Sequence, residues 1–241
     1  MPLLRFLFNR NFEITRQMPT FACGKKPHKA DMNTDNIIIT VGRQFGSGGR
    51  ELGRRLAAAF GFSYYDRELL HEAARQMGVS ADLFESHDEK APSFFSGLFP
   101  TSFGYGSMTG YGATGIGKSE AIYEMQTEVI RTIAQKESAV IVGRTADYAL
   151  RNFPRCVNIF VSAPEDACVR RIMERGEFAS EAEARTACRK HNKLRASYYN
   201  FYTDKTWGAA ESYDICLDSS HLSMDDMVDI VKLYVGRRFG V

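Results

Sequence analysis

Residues 37–61, IIITVGRQFGSGGRELGRRLAAAFG, constrain this chain more than any other stretch. The apolar run 37–41 is unbroken and rich in β-branched residues, which reads as a strand buried on both faces of a parallel sheet. Gly42, Gly46, Gly48 and Gly49 follow within eight residues. Residues 51–60 then set Leu52, Leu56, Ala59 and Phe60 at helical spacing. Strand, glycine-rich turn and helix make a phosphate cradle: glycines let backbone N–H groups close on an anion, and the helix N-terminus adds partial positive charge. The usual wording of such a loop is G-x-x-x-x-G-K-[ST]. Here Gly49 stands where the lysine belongs. Arg50 is the nearest cation, and Ser47 is the nearest hydroxyl for a phosphate or a metal ion. A tight turn without a ligand is the plain alternative. Four glycines with Arg43 and Arg50 around one turn are more than a turn needs.

A second match lies further on. GATGIGKS, residues 112–119, fits the pattern letter for letter. It follows a Gly-, Ser- and aromatic-rich stretch, 94–111, that offers no strand to hold a phosphate loop, so it reads as a chance match. A lysine delivered from a lid by Lys118 is the alternative.

At 241 residues the chain suits one sizeable domain, or one domain with a small mobile insert. A net charge of +2 gives no global basic field, which argues against nucleic acid as a partner. No apolar run approaches the roughly 20 residues of a membrane span. The five cysteines (23, 156, 168, 188 and 216) show no C-x-x-C spacing. They read as buried thiols of a reducing, cytoplasmic setting. Residues 1–35 carry scattered basic residues and read as a disordered or non-native extension. Met32 is an alternative start, and an organelle-targeting peptide a further option. Residues 36–241 form the folded domain.

Further strands are expected at 62–66, 137–144, 156–163 and 213–220. Helices are expected at 66–78, 81–90, 119–136, 164–176, 180–202 and 224–239. Ser162 with Glu165, and Ser180 with Glu183, suit helix starts. Residues 91–117 lack any period and read as a flexible flap. Strands alternating with helices imply a parallel sheet covered on both faces, with ligands at the carboxyl ends of the strands. The 42–50 loop, Asp66, Arg144 and Ser162 fall at those ends.

Phosphoryl transfer asks for positioning and for positive charge on phosphate oxygens. Residues 168–195 hold eight Arg or Lys against four Glu. Two basic helices around a short break resemble a closing lid, with Arg171 and Arg175 on one face. A solvated basic face is the plain alternative. The aromatic cluster 198–203 with Trp207 reads as packing rather than base stacking.

GRQFGSGGRE, FSYYDRELL, HDEKAP, VIVGR, VRRIMERG and the tail from HNKLRASYYNFY to YDICLDSS together resemble the cytidylate kinase-like family. This is a branch of the P-loop nucleoside monophosphate kinases, and the resemblance spans about residues 36–236. It implies a P-loop NTPase-type three-layer α/β/α fold with a five-stranded parallel sheet in the order 2-3-1-4-5 and a helical lid at about 168–195. It also implies phosphorylation of CMP or dCMP with ATP and Mg2+, on small-molecule nucleotide substrates, by a monomer or weak homodimer. Gly46, Ser47 and Gly48 match the donor phosphate loop, and Gly49, Arg50 and Glu51 complete the candidate donor-binding set. Arg144 and Arg195 match the acceptor side, Arg170 and Arg171 the lid, and Asp218 and Ser219 the last strand; Asp66, at a strand end, is a further candidate for binding the substrate. Glu51 replaces a Thr or Ser of the loop, Arg67 a serine, Glu72 an arginine, and Asn192 an aspartate expected to read the cytosine. The leading reading is an ATP-dependent phosphotransferase in which Arg50 compensates for the lysine and Arg144, Arg170, Arg171 and Arg195 clamp phosphates. A nucleotide sensor or scaffold without turnover, and a kinase for a non-nucleotide acceptor, stay open.

Overall fold

The computed structural model describes residues 35–68, 70, 75 and 116–241. Five strands form one parallel sheet: β1 (Ile38–Arg43), β2 (Ser63–Tyr65), β3 (Ala139–Val142), β4 (Cys156–Ser162) and β5 (Ile215–Asp218). Their order is β2-β3-β1-β4-β5, as the resemblance implies. β1 is central. It pairs with β3 from Ile38 against Ala139, and with β4 from Ile38 against Cys156 through Arg43 against Val161.

The helices are α1 (Gly49–Phe60), α2 (Ile116–Lys136), α3 (Ala146–Ala149), α4 (Glu165–Glu174), α5 (Glu181–Tyr202) and α6 (Met224–Phe239). Side chains alternate across each strand and so divide the core in two. Ile39, Val41, Val140, Val142, Val157, Ile159 and Val161 pack with Leu52 and Leu56 of α1 and Met227, Val231 and Val235 of α6. Ile38, Ala139, Ile141 and Cys156 pack with Ile130 and Ile133 of α2 and Ala146 and Ala149 of α3. The result is a three-layer α/β/α domain.

Several local expectations need correction. On α1 the buried face is Leu52, Gly53, Leu56 and Ala57, while Ala59 is exposed. The helix meets the sheet through its small residues, so the buried stripe is turned toward Gly53 and Ala57. Ser162 does not cap α4, whose N-cap is Pro164 without a side-chain cap bond. Ser180 does cap α5, accepting from the Glu183 N–H at 3.3 Å. Cys156, Cys168 and Cys188 are buried, but Cys216 is exposed. It lies on β5, the end strand of the described sheet, beside β4 on one edge.

The extension expected at 1–35, up to residue 34, the helix expected at 81–90, and the flap expected at 91–117, up to residue 115, lie outside the described residues. So do the first half of GATGIGKS and the side chains of 116–119.

Candidate active site

The loop from β1 to α1 turns through Gly46 at φ 80° and Gly48 at φ 84°, left-handed conformations that suit glycine. Space is as tight as the backbone. A β carbon at Gly46 would sit 2.8 Å from the Cys168 carbonyl oxygen. The loop is held from every side. The Ser47 hydroxyl donates to the Gln44 carbonyl at 2.9 Å, and the Ser219 hydroxyl donates to the Ser47 carbonyl at 2.6 Å. Phe45 N–H donates to Asn192 Oδ1 at 2.7 Å. Arg171 donates to the Gly46 carbonyl at 2.6 Å and to the Ser219 carbonyl at 3.2 Å. The first turn of α1 begins at Gly49, so its free N–H groups close the cradle.

Above the loop opens a cavity of about 620 Å³. Gly46, Gly48 and Gly49 form part of its lining, with Arg43, Arg67, Arg144, Arg171 and Arg195 and an aromatic wall of Tyr198, Tyr199, Trp207 and Tyr213. The wall is well fixed. Tyr199 OH donates to the buried Asp147 carboxylate at 2.6 Å, and Trp207 stands edge-on to Phe160 at 5.2 Å. These aromatic residues therefore both pack and line the cavity.

Three of the arginines are held in poorly solvated places. Burial pulls Arg43 down to about 10, with nearby Arg50 adding to the effect. Burial first, then Arg67 and Arg43, brings Arg144 down to about 10. Burial, then Arg43, holds Arg195 well below its ordinary value. Desolvated guanidiniums that lower one another form a concentrated positive field, which an anion relieves. Arg144 and the following Thr145 take φ 61° and 51°, uncommon for side-chain-bearing residues. Such backbone strain persists where the surroundings over-determine it, often at functional sites.

The residues that the sequence singles out do not all reach the cavity. Arg171 and Arg195 line it, and Arg195 also donates to the Arg43 carbonyl at 3.1 Å. Arg170 is exposed and is not among the lining residues. Arg50 borders the cavity, but its guanidinium lies on carboxylates: Asp66 at 2.7 Å and Glu68 at 3.0 Å. Glu51 borders the cavity and accepts from Arg55 at 2.7 Å. Arg185 and Arg189 bind Glu165, joining α5 to α4 rather than facing the cavity. Asn192, aligned by resemblance with a cytosine-reading aspartate, spends its carbonyl on the Phe45 N–H.

The side chains do not fit a resident magnesium site. The Ser47 hydroxyl, expected from the sequence as a metal contact, is fully buried and turned to Gln44. Among the described residues no group of three or more His, Cys, Asp or Glu could hold a metal ion.

Sequence reasoning noticed Arg43 beside the turn but gave it no role. The cue was present: a charge ending an otherwise apolar strand at the mouth of a phosphate loop. It also missed Asp147 as the anchor of the aromatic wall, whereas Arg67, aligned by resemblance with an acceptor-contacting serine, does line the cavity.

A parallel 2-3-1-4-5 sheet, a glycine loop feeding a helix from the central strand, and arginines converging above that loop define a nucleotide kinase-type phosphotransferase. The family is narrower: the chain belongs to the cytidylate kinase-like family, whose model matches residues 38–221. It is 26% identical to the cytidylate kinase of Methanosarcina barkeri over 212 residues, covering 84% of this chain and 98% of that protein. It is 24% identical to the cytidylate kinase of Pyrococcus furiosus over 200 residues, covering 81% of this chain and 86% of that one. The crystal structure of an uncharacterized protein from Eubacterium ventriosum matches with a TM-score of 0.62 at 29% identity, over 83% of this chain and 98% of the other. No helix among the described residues is long and apolar enough to cross a membrane.

Proposed function

We propose that this chain transfers the γ-phosphoryl group of MgATP to a small anionic acceptor, with CMP, dCMP or a related nucleoside monophosphate first in line. One observation carries the reading: the glycine loop and Arg43, Arg144, Arg171 and Arg195 line a single cavity. The donor phosphates lie on the loop and the N-terminus of α1. Arg171, from α4, ties the loop to the β5 end and adds charge at the donor phosphates. Arg144, after β3, and Arg195, from α5, neutralise the acceptor phosphate. An acceptor phosphate oxygen bonds to the γ-phosphorus as the bond to the bridging oxygen breaks. The electron pair stays on the β-phosphate of ADP, and a dianionic acceptor needs no proton removed. The chain's contribution is alignment and fixed positive charge in a poorly solvated site.

A second acceptor class has a specific observation in its favour. With Asn192 engaged by the loop, no aspartate reads a cytosine at that position. A non-nucleotide acceptor suits the same arginines.

The test is ADP release by the full chain with MgATP over CMP, dCMP, UMP, AMP and GMP. Turnover above the ATP-only rate with CMP or dCMP supports the first reading. ATP binding with no turnover across the panel, followed by turnover with a non-nucleotide phosphate or hydroxy acid, supports the second. ATP binding with no turnover on any acceptor refutes the phosphotransferase reading and leaves a nucleotide-binding module.

A further inference from the structure

Arg43 ends β1 and enters the loop, yet its side chain does not point away from the cradle. Its stem crosses Gly49. A β carbon built on Gly49 would sit 2.5 Å from Arg43 Cβ and 3.0 Å from Arg43 Cγ. Real β carbons essentially never approach so closely. Its tip reaches Gly143, where φ is 81° and a β carbon would overlap the guanidinium. Two glycines on different elements therefore make the channel through which Arg43 runs. Arg43 lines the cavity, and no side chain among the described residues is seen bonded to its guanidinium, which Tyr64, Asp66 and Glu68 attract only through space. A charge that is poorly solvated and unpaired by protein is costly unless an anion meets it.

Gly49 is also the position at which the usual phosphate loop carries its lysine, the residue that reaches the β- and γ-phosphates. We propose that Arg43 is the donor-phosphate cation of this chain. It reaches from the last residue of β1 into the place a lysine at 49 would serve, and position 49 is glycine because the Arg43 stem fills the space a side chain there needs. The ligand class is a nucleoside polyphosphate, and Arg43 contacts its β- and γ-phosphates. Arg50, which the sequence suggested for this role, is held by Asp66 and Glu68 instead. The assignment rests on the proposed ATP site. It concerns binding of the polyphosphate, and so it can be read even if no acceptor is turned over.

The experiment compares ATP and AMP affinities by calorimetry for the full chain and for Arg43→Met, which keeps the stem and removes the charge. AMP has no β- or γ-phosphate, so a donor-phosphate cation separates the two ligands, whereas a merely structural residue moves both together. One lost charge-assisted contact corresponds to roughly 10- to 100-fold in affinity. ATP binding is expected to weaken at least ~10-fold in Arg43→Met, with AMP within ~3-fold of the parent. Equal losses for both ligands, or an unchanged ATP affinity, overturn the assignment. If the parent binds ATP but transfers to no acceptor, the phosphotransferase reading falls while the affinity ratio still judges Arg43. If the parent binds neither nucleotide, both fall.

A paired exchange gives an independent readout. Gly49→Lys alone should lower the melting temperature, because the new β carbon meets the Arg43 stem. Arg43→Gly alone should weaken ATP. Arg43→Gly combined with Gly49→Lys should recover at least ~10-fold of that ATP affinity. A folded double variant with no recovery counts against exchange of the cation between the two positions.

Discussion

Gly53→Ala tests how closely α1 must approach the sheet to set the loop in place. Gly53 is buried in the middle of α1, and its backbone is ordinary right-handed helix. On helix propensity alone, alanine gains about 1 kcal/mol. Crowding against the sheet outweighs that gain. The new β carbon would lie 2.7 Å from Val142 Cγ2 and 3.4 Å from Tyr64 Cε2. Val142 is 1% exposed and belongs to β3, which is paired on both edges, so it has little room to yield. Overpacking of this kind costs about 1–3 kcal/mol. The net expectation is a loss of about 1 kcal/mol, or roughly 2–4 °C in Tm for a chain of this size. Urea and thermal unfolding followed by circular dichroism measure it. The sign should reverse once the opposing methyl is gone: in a Val142→Ala background, Gly53→Ala should stabilise by about 1 kcal/mol. Stabilisation by Gly53→Ala in the unmodified chain would refute the reasoning, because the helix would then have moved away at no cost.

Asn192→Ala removes the acceptor of the Phe45 N–H and should cost about 1–3 kcal/mol in stability while weakening ATP binding; calorimetry and melting on the same samples check both. Arg171→Ala should lower kcat/KM by at least ~100-fold, and at least ~10-fold more than Arg170→Ala, since only Arg171 binds the loop and lines the cavity. Tyr199→Phe strips the buried Asp147 of its hydroxyl partner and should destabilise by about 1–3 kcal/mol, read from urea midpoints. Hydrogen bonds from Arg189 and then Arg185 hold Glu165 down to about 2 from its ordinary 4.5. A depressed folded-state value means the stabilisation is complete above pH 4.5 and is lost as pH falls toward 2. Glu165→Gln should flatten that part of the acid unfolding curve, and an unchanged curve would count against the pairing.

Much of the fold was legible because it follows from periodicity. The apolar run at the start of β1 and the alternation of strand and helix point to the layers, and the family resemblance supplies strand order. The loop was legible because left-handed turns and close approach both ask for glycine at Gly46 and Gly48. What could not be read were distances between residues far apart in sequence. Arg50 sits beside the loop in the chain, but Asp66 and Glu68, at the end of β2, draw it aside. Arg43 looks like the end of a strand until Gly49 and Gly143 are seen flanking its stem. The basic run of α5 divides between Glu165 and the cavity according to helix face, a division that depends on where α4 lies. Asn192 aligns with a base-reading position, and only the docking of α5 on the loop reveals its partner.

The overlap at Gly49 also bears on how such a loop could arise. A lysine at 49 and the present course of Arg43 exclude each other, since their β carbons would lie 2.5 Å apart. A lineage moving between the two arrangements one substitution at a time must pass through a crowded intermediate carrying both cations or an uncharged one carrying neither. Either step is disfavoured alone, although the two end states can be equally fit. That valley would keep a chain in whichever arrangement it first acquired. It also means that a search for phosphate loops that insists on lysine after the last glycine will pass over the loop between β1 and α1 and stop at GATGIGKS.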